Sequence, residues 1–220
     1  MKNIILIAPP AAGKGTQAKM LHEKYNIPHI STGKLLREEA TKETELGKTI
    51  KETISKGRLV SDEIITTLLK LRLMNEDCNN GYILDGYPRN IEQAKIYEEL
   101  LKSLNKDIGI VVFFDIDKDL AMKRTLSRIE CPNCGTSYNL LVNELKPTLE
   151  GICNKCGSKL EQRSDDNAES FMTRFDTYMN KTLDLINYYK EKNILREIKV
   201  LDNLSAQDIF SNLEEIINND

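Results

Sequence analysis

Residues 3–25 have the sequence NIILIAPPAAGKGTQAKMLHEKY, in which a short apolar run is followed by a turn and then by a stretch compatible with a helix. The turn, residues 8–16, nearly matches a phosphate-binding loop. Such a loop wraps backbone amides around phosphate oxygens at a helix N-terminus, with a lysine for the phosphates and a hydroxyl for Mg²⁺. Gly13, Lys14, Gly15 and Thr16 supply this second half. The alternative is a proline-rich connection with an exposed lysine.

The first half of the loop departs from the usual pattern. Ala8 stands where the pattern opens on glycine, and Pro9-Pro10-Ala11-Ala12 replaces a more glycine-rich turn. A Cβ atom costs little only where φ is negative. Ala8 and Ala11 are therefore expected to affect the shape or stiffness of the loop.

Short apolar runs alternate with helical stretches along the chain. The runs at 3–8, 82–85, 110–116 and 198–201 are typical of buried strands, and the alternation predicts a parallel α/β sheet. Ser61, followed by two acidic residues, predicts a helix start. Helical spacing predicts core-facing stripes at Ile64, Leu68 and Leu71, at Phe171, Phe175, Tyr178, Thr182, Leu185 and Tyr189, and at Ile209, Phe210, Leu213, Ile216 and Ile217.

Two segments interrupt this alternation and are interpreted as insertions. Residues 31–60 are mostly helical, whereas residues 129–162 contain cysteines, turns and short strand-like runs. The predicted core domain then comprises residues 1–30, 61–128 and 163–220.

Composition indicates an ordinary globular protein. The 220 residues are 40% hydrophobic and 30% charged, and the formal net charge is -3. This charge argues against a protein that mainly coats nucleic acid or an anionic membrane. No apolar run approaches the roughly 20 residues of a membrane span, and the N-terminal run is too short for a signal peptide. We therefore expect a cytoplasmic protein with no membrane or nucleic-acid partner.

Four of the five cysteines form two Cys-x-x-Cys pairs, each followed by glycine. The pairs are Cys131/Cys134 and Cys153/Cys156, with 18 residues between them, which is typical of a zinc ribbon. Four thiolates complete a tetrahedral shell, so a metal here would be structural. A nucleic-acid-binding ribbon is the alternative, but the surrounding lysines and arginines are balanced by glutamates. The fifth cysteine, Cys78, stands apart.

Four further motifs extend the pattern. They are STGKLLR (31–37), GRLVSD (57–62), DGYPRNIEQA (85–94) and RSDD (163–166), with Arg174 beyond them. Together with the phosphate loop and the cysteine pairs, their order and spacing resemble the adenylate kinase family, in its bacterial form with a long, zinc-binding lid. The resemblance covers nearly the whole chain.

The resemblance implies a five-stranded P-loop core, an AMP-binding insertion at 31–60 and a zinc-stapled lid at 129–162. The implied reaction is reversible, Mg²⁺-dependent phosphoryl transfer from ATP to AMP, giving two ADP, in adenine nucleotide homeostasis and salvage. The implied cofactors are Mg²⁺ with ATP and structural Zn²⁺, and the implied state is a monomer. Because many phosphate oxygens meet in such a reaction, several arginines must converge with Lys14.

The resemblance also implies a role for individual residues. Lys14, Arg89, Arg128, Arg163 and Arg174 would be catalytic. The ATP site would contain Gly13, Lys14, Gly15, Thr16, Arg124 and Arg128, and the AMP site Thr32, Arg37, Val60, Gly86, Arg89 and Gln93. Gln93 offers a donor and an acceptor to an adenine edge. Asp85 would hold Mg²⁺ through water, Asp165 and Asp166 would orient lid arginines, and the zinc ligands would be Cys131, Cys134, Cys153 and Cys156.

Lys34 is a further departure, because the family usually has aspartate at this position. This charge reversal near the phosphates could weaken the coordination of water on Mg²⁺ or partly substitute for the metal. Alternative functions are a UMP/CMP kinase, a GTP-using AMP kinase, and a catalytically weak nucleotide sensor or RNA-binding protein on the same fold. Thr32 and Gln93 favour AMP, and we expect activity because every charged phosphate-binding position is filled.

Overall fold

A five-stranded parallel sheet forms the centre of the molecule in the computed structural model, which describes residues 2–55, 60–163 and 166–219. The strands lie in the order β2-β3-β1-β4-β7, and each neighbouring pair is parallel. The predicted α/β class is therefore confirmed. The strands are β1 (Ile4–Ile7), β2 (His29–Ser31), β3 (Ile83–Asp85), β4 (Ile110–Ile116) and β7 (Leu195–Val200).

Four of these strands coincide with the predicted apolar runs. The missed strand, β2, has only three residues at one edge of the sheet, which is too short for a recognisable alternation. The last strand begins earlier than predicted, because residues from Leu195 onward already pair with β4. Partly polar edge strands are the ones that an apolar-run criterion detects poorly.

Eight helices surround the sheet in the described part of the chain. Ser61 caps α4, its Oγ accepting a hydrogen bond from the Ile64 amide at 3.5 Å, which confirms the predicted helix start. Among these helices, none combines the length and apolar character needed to cross a membrane. They are α1 (Lys14–Tyr25), α2 (Thr32–Ala40), α3 (Glu45–Ser55), α4 (Asp62–Leu73), α5 (Ile91–Ser103), α6 (Lys118–Leu126), α7 (Ala168–Glu191) and α8 (Ala206–Asn219).

The core consists of two apolar clusters, one on each face of the sheet. Along β1, Ile4 and Leu6 belong to one cluster and Ile5 to the other, as alternation along a strand requires. The long helix α7 contributes to both, with Phe171 near its start in the first and Tyr189 near its end in the second. The predicted stripe of α7 is thus largely confirmed.

The stripe predicted on α4 is partly wrong. Leu68 is buried as predicted, but Leu71 is 61% exposed, while Leu69 and Leu73 are fully buried. The core-facing side of α4 is therefore rotated relative to the predicted one, and the helix packs against both α2 and α5.

Two additional clusters lie in the segments interpreted as insertions. Ile50 and Val60 pack with Leu68 beside α2 and α3. In the second segment, β5 (Arg128–Glu130) pairs antiparallel with β6 (Ser137–Asn139), and a bridge joins Glu130 to Glu161. Each segment therefore has apolar packing of its own in addition to its contacts with the core.

Candidate active site

The loop after β1 and the end of β3 meet at one edge of the sheet. Because parallel strands end at the same edge, the loop before α1 and Asp85, the last residue of β3, lie side by side. Lys14, the first residue of α1, places its Nζ 2.9 Å from Asp85 Oδ1. The lysine is thus positioned at a helix N-terminus where backbone amides point outward.

Asp85 is ionised and fixed on two sides. Burial alone would raise its pKa, but the Lys14 ammonium and a hydrogen bond from His29 outweigh burial and hold the pKa of Asp85 well below its usual range. His29 Nε2 lies 3.2 Å from Asp85 Oδ2. Sequence analysis missed this contact of His29, because the two residues are 56 positions apart and no local pattern joins them.

The two alanines of the loop have different backbone conformations. Among the described residues other than glycine, positive φ occurs at Ala11, with 61°, and at three asparagines, but not at Ala8. Ala8 therefore fits without backbone strain, whereas Ala11 adopts the left-handed region that glycine favours. Gly13, the N-cap of α1, also has a left-handed backbone, with φ 88°, and as a glycine it adopts this conformation without strain.

Replacing Ala11 with glycine is expected to stabilise the protein. The left-handed conformation costs a residue with Cβ about 1 kcal/mol, and glycine would remove this cost. Part of the stability gained would be offset by the larger conformational freedom of glycine in the unfolded chain. Urea unfolding should therefore show a higher midpoint for Ala11→Gly. Ala12→Gly is the matched control, because Ala12 is buried and loses core packing. If the unfolding midpoints of both variants shifted equally and in the same direction, the assignment of strain to Ala11 would be wrong.

Thr32, Gly86 and Arg89 form a second group beside the loop. Thr32 Oγ1 donates to the Gly86 carbonyl at 3.1 Å, and Arg89 Nε donates to the same carbonyl at 2.9 Å. Gly86 has φ 83°, and a Cβ there would lie 3.3 Å from Thr32 Oγ1. The pKa of the Arg89 guanidinium lies below its usual value, mainly because the group is desolvated by burial. The negative charge of Asp85 acts against this shift, and the positive charge of Arg174 adds to it.

Gln93 is buried and uses both ends of its amide within the protein. Its Oε1 accepts from the Arg89 amide at 2.7 Å, and its Nε2 donates to Asp62 Oδ1 at 2.7 Å. Each end retains capacity for one further hydrogen bond. Asp62 is a residue whose contact the sequence analysis missed, because it was interpreted as an acid of the first helical turn only.

The helix α2 contributes Arg37 and Lys34 on different sides. A Cβ built on Gly33 would lie 3.4 Å from Arg37 Nη1, so the guanidinium folds back over the helix start. Lys34 instead has a side chain that is 70% exposed, with Nζ 3.6 Å from Glu38 Oε1. Val60 is buried in the apolar cluster beside α2 and α3. Residues 57–59 of its predicted motif lie outside the described residues.

Arg124 on α6 is a buried cation with an unsatisfied donor. The residue is 8% exposed, and its Nε has no hydrogen-bond partner among the residues that the structure describes. Burial lowers the pKa of Arg124, and Asp202 partly compensates. A buried guanidinium nitrogen without a partner requires an explanation, such as a bound ligand that completes its contacts.

The remaining arginines lie around the start of the second insertion. Arg128 binds Asp166 through two parallel hydrogen bonds, one of them from Nε at 2.7 Å, and the Asp166 side chain is fully buried. Arg163 pairs with Glu130. Arg174 is half-buried on α7. The predicted partner Asp166 is thus beside Arg128, whereas Asp165 lies outside the described residues.

The four paired cysteines form one cluster. Their Sγ atoms all lie within 4.8 Å of one another, with 3.4 Å between Cys131 and Cys156 and 3.5 Å between Cys134 and Cys153. Four sulfurs at about 2.3 Å from one tetrahedral zinc ion lie about 3.8 Å apart, so these thiols fit such an ion. All four are free thiols rather than disulfides.

Cys78 lies away from these groups. It is 1% exposed, and Arg72 Nη1 donates to its sulfur at 3.1 Å. Burial raises the pKa of the Cys78 thiol to about 11, so the thiol stays protonated near neutral pH. This residue is therefore a packing element and not a nucleophile.

Comparison with known proteins identifies the family. A family model described as adenylate kinase matches residues 6–194, most of the chain. The chain belongs to the adenylate kinase family. It is 43% identical to an adenylate kinase of Thermosipho africanus over 216 residues, 98% of both chains, and 41% identical to one of Clostridium tetani over the same length and share. An adenylate kinase of Archaeoglobus fulgidus is 46% identical over 196 residues, 89% of both chains.

Membership of the adenylate kinase family confirms the resemblance stated from the sequence motifs. Adenylate kinases are phosphotransferases, so the protein is an enzyme of this class. The cysteine cluster is consistent with the long-lid type within the family, and it can bind a metal ion.

Proposed function

We propose that the protein transfers the terminal phosphoryl group of ATP to AMP, reversibly and with Mg²⁺, giving two molecules of ADP. One observation supports this most directly: Lys14 and Asp85 meet at the carboxyl edge of the sheet, and Arg89 is held on the carbonyl of Gly86, the residue after Asp85. If the phosphates of two nucleotides met there, Lys14 and Arg89 would neutralise their negative charge from two sides. In the cell, this reaction would serve adenine nucleotide homeostasis and salvage.

The ATP phosphates would lie in the loop before α1. The amides around Gly13, Gly15 and Thr16 at the helix N-terminus would bind phosphate oxygens, and Lys14 would exchange its contact with Asp85 for the phosphates. Arg124 would lie on the adenine, with its planar guanidinium stacked on the base. Thr16 and the ionised Asp85 are oxygen donors that suit Mg²⁺, which would neutralise phosphate charge when bound.

AMP would lie between α2 and the segment after β3. Arg37 and Arg89 would bind its phosphate with their planar guanidinium groups. Thr32, Val60, Gly86 and Gln93 would line the pocket of the nucleoside, with Gln93 held in place by Asp62. Because Gln93 is fixed at both ends, its remaining donor and acceptor would have a defined direction toward the base.

The arginines near the second insertion would close over the reacting phosphates. Arg128 and Arg163 are now paired with the carboxylates of Asp166 and Glu130, which hold the guanidinium groups in defined orientations. Arg174 would join them from α7. The chain forms no covalent intermediate and uses no general base in this proposal; positioned charge stabilises the transferring group, and closure excludes water.

The proposed domains correspond to the proposed nucleotide and metal sites. Residues 1–30, 61–128 and 163–220 would form the core, 31–60 the AMP-binding domain and 129–162 the lid. The apolar cluster of the second insertion supports this division because it packs within its own segment, whereas that of the first insertion also includes Leu68 of the core. A cluster of its own would allow the second insertion to move against the core.

We also propose a cytoplasmic monomer with a structural zinc ion in the lid. Free thiols in two Cys-x-x-Cys pairs suit a reducing compartment, where such pairs bind metal. Four thiolates would fill the coordination shell, leaving no position for a substrate. Light scattering of the purified protein would report the oligomeric state, and metal analysis would report the ion.

Removal of the metal is expected to destabilise the lid. Chelation should lower the melting temperature by roughly 5 °C, because the ion contributes a few kcal/mol through a segment with a small core. Proteolysis should become faster within residues 129–162. The control is a Cys131→Ser/Cys134→Ser variant, on which the chelator should have no further effect. Unchanged melting and proteolysis after verified metal removal would contradict a structural role.

The reaction itself is tested by measuring ADP formation from ATP and Mg²⁺ with AMP, UMP, CMP or GMP as the acceptor. We expect rapid turnover with AMP and much slower turnover with the other monophosphates. Preference for a pyrimidine monophosphate would instead identify a UMP/CMP kinase. Nucleotide binding without turnover would favour a sensor and would make Lys34→Asp the variant to examine next.

A further inference from the structure

Tyr138 lies inside the cysteine cluster of the second insertion. It is on β6, opposite Ile129 on β5, and only 7% of its surface is exposed. Its ring packs with Cys131, Cys153 and Leu160. Its hydroxyl lies 3.4 Å from Cys153 Sγ. An aromatic ring would be sufficient for packing, so the phenolic oxygen next to a sulfur requires a separate explanation.

The hydrogen-bond partners of the hydroxyl determine the direction of its own proton. The backbone amide of Asn154 donates to the Tyr138 oxygen at 2.8 Å. An amide N–H cannot accept a hydrogen bond, so the oxygen is the acceptor there and its proton remains available. The Cys153 sulfur is the acceptor within reach. The phenol therefore donates to the sulfur.

This contact differs from the other hydroxyl contacts of the cluster. Thr136 lies near Cys134, and Ser158 near Cys156, in each case only two residues along the chain. Tyr138 is 15 residues from Cys153, and it follows the first cysteine pair while contacting the second. Its hydroxyl therefore joins the two halves of the cluster.

We propose that Tyr138 is a positioning residue of the metal centre, whose hydroxyl donates to the Cys153 thiolate and holds the second cysteine pair in register with the first. This inference rests on the proposed metal-binding role of the four cysteines. A hydrogen bond to a ligand atom orients it and stabilises its charge, and loss of such a partner typically weakens metal affinity by 10- to 100-fold. Tyr138 thus acts through Cys153 and not on the nucleotides.

The test compares Tyr138→Phe with wild type in the full-length protein. Zinc affinity is measured by competition with a chromophoric chelator, and cobalt(II) is used as a spectroscopic probe of the same site. We expect about tenfold weaker zinc binding and a shift of the sulfur-to-cobalt charge-transfer bands to longer wavelength, because the sulfur loses a donor. Tyr25→Phe is the matched control, since that phenol donates to Glu214 at 2.7 Å, outside the lid.

Each other outcome overturns a defined part of the inference. Zinc affinity and cobalt spectrum equal to those of Tyr25→Phe would show that the hydroxyl does not act on the metal centre. Weaker affinity with unshifted bands would mean that the hydroxyl acts only through the Asn154 amide, which refutes the contact with sulfur. A wild-type protein that binds neither ion would refute the metal centre as well, whereas ADP formation tests the proposed reaction independently.

Discussion

Replacing Lys14 with methionine is expected to lower kcat for ADP formation by about 10²- to 10³-fold, the usual cost of removing one preorganised charge from a phosphoryl or oxyanion site. Lys14 is the first residue of α1 and lies 2.9 Å from Asp85, so its ammonium is positioned at the phosphate loop before any nucleotide binds. Methionine keeps the length and helix propensity of the side chain. Steady-state kinetics with ATP and AMP measure the effect.

Two further variants make this result specific. Lys19→Met is the control, because Lys19 is on the same helix and is exposed, with its Nζ 3.7 Å from Glu23 Oε1. The rate of this variant should remain that of wild type. The double variant Lys14→Met/Asp85→Asn tests whether Lys14 merely balances the charge of Asp85. We expect the double variant to stay inactive, and a recovered rate would refute a direct role of Lys14 at the phosphates.

Replacing Arg89 with lysine is expected to reduce kcat/KM for AMP by about 10²-fold, with a much smaller change in KM for ATP. The Nε of Arg89 donates to the Gly86 carbonyl at 2.9 Å, which orients the terminal nitrogens of the guanidinium. Lysine retains the charge but loses the planar fork that binds two phosphate oxygens together. Varying each nucleotide at saturation of the other separates the two effects.

Arg196→Lys is the control for this substitution. Arg196 lies on β7 at the edge of the sheet, where its Nη1 donates to the carbonyls of Asn193 and Leu195, and it is not among the residues proposed for AMP. We expect kinetics equal to wild type. If Arg89→Lys raised KM for ATP and for AMP equally, Arg89 would serve both nucleotides, and its assignment to the AMP phosphate would be wrong.

The sequence predicted those parts of the molecule that depend on local patterns. Buried runs such as 110–116, the cap at Ser61 and the two cysteine pairs each require only a few consecutive residues, and all appear in the structure as predicted. The sheet follows because parallel strands need helical crossovers, which the spacing of the runs allows. The family resemblance came from the same short motifs.

The sequence could not predict contacts between distant residues. His29 reaches Asp85 across 56 positions, and Asp62 reaches Gln93 across 31, and neither pair has a local signature. Helical spacing puts Leu71 on one face with Ile64 and Leu68, but α4 also has leucines on other faces, and only tertiary packing decides which face is buried. The left-handed backbone at Ala11 is likewise imposed by the loop and not by the preference of alanine.

The late position of α7 and β7 in the chain affects how the protein is synthesised. When β4 leaves the ribosome, its outer edge has no partner, because β7 begins about 80 residues later, after the second insertion and the 24 residues of α7. At 5–20 residues per second, the apolar strand Ile110–Ile116 is left as an open edge for roughly 5–15 s. Both faces of the sheet also lack α7 during this time. The nascent chain is therefore most vulnerable to aggregation in the interval between the emergence of β4 and that of β7.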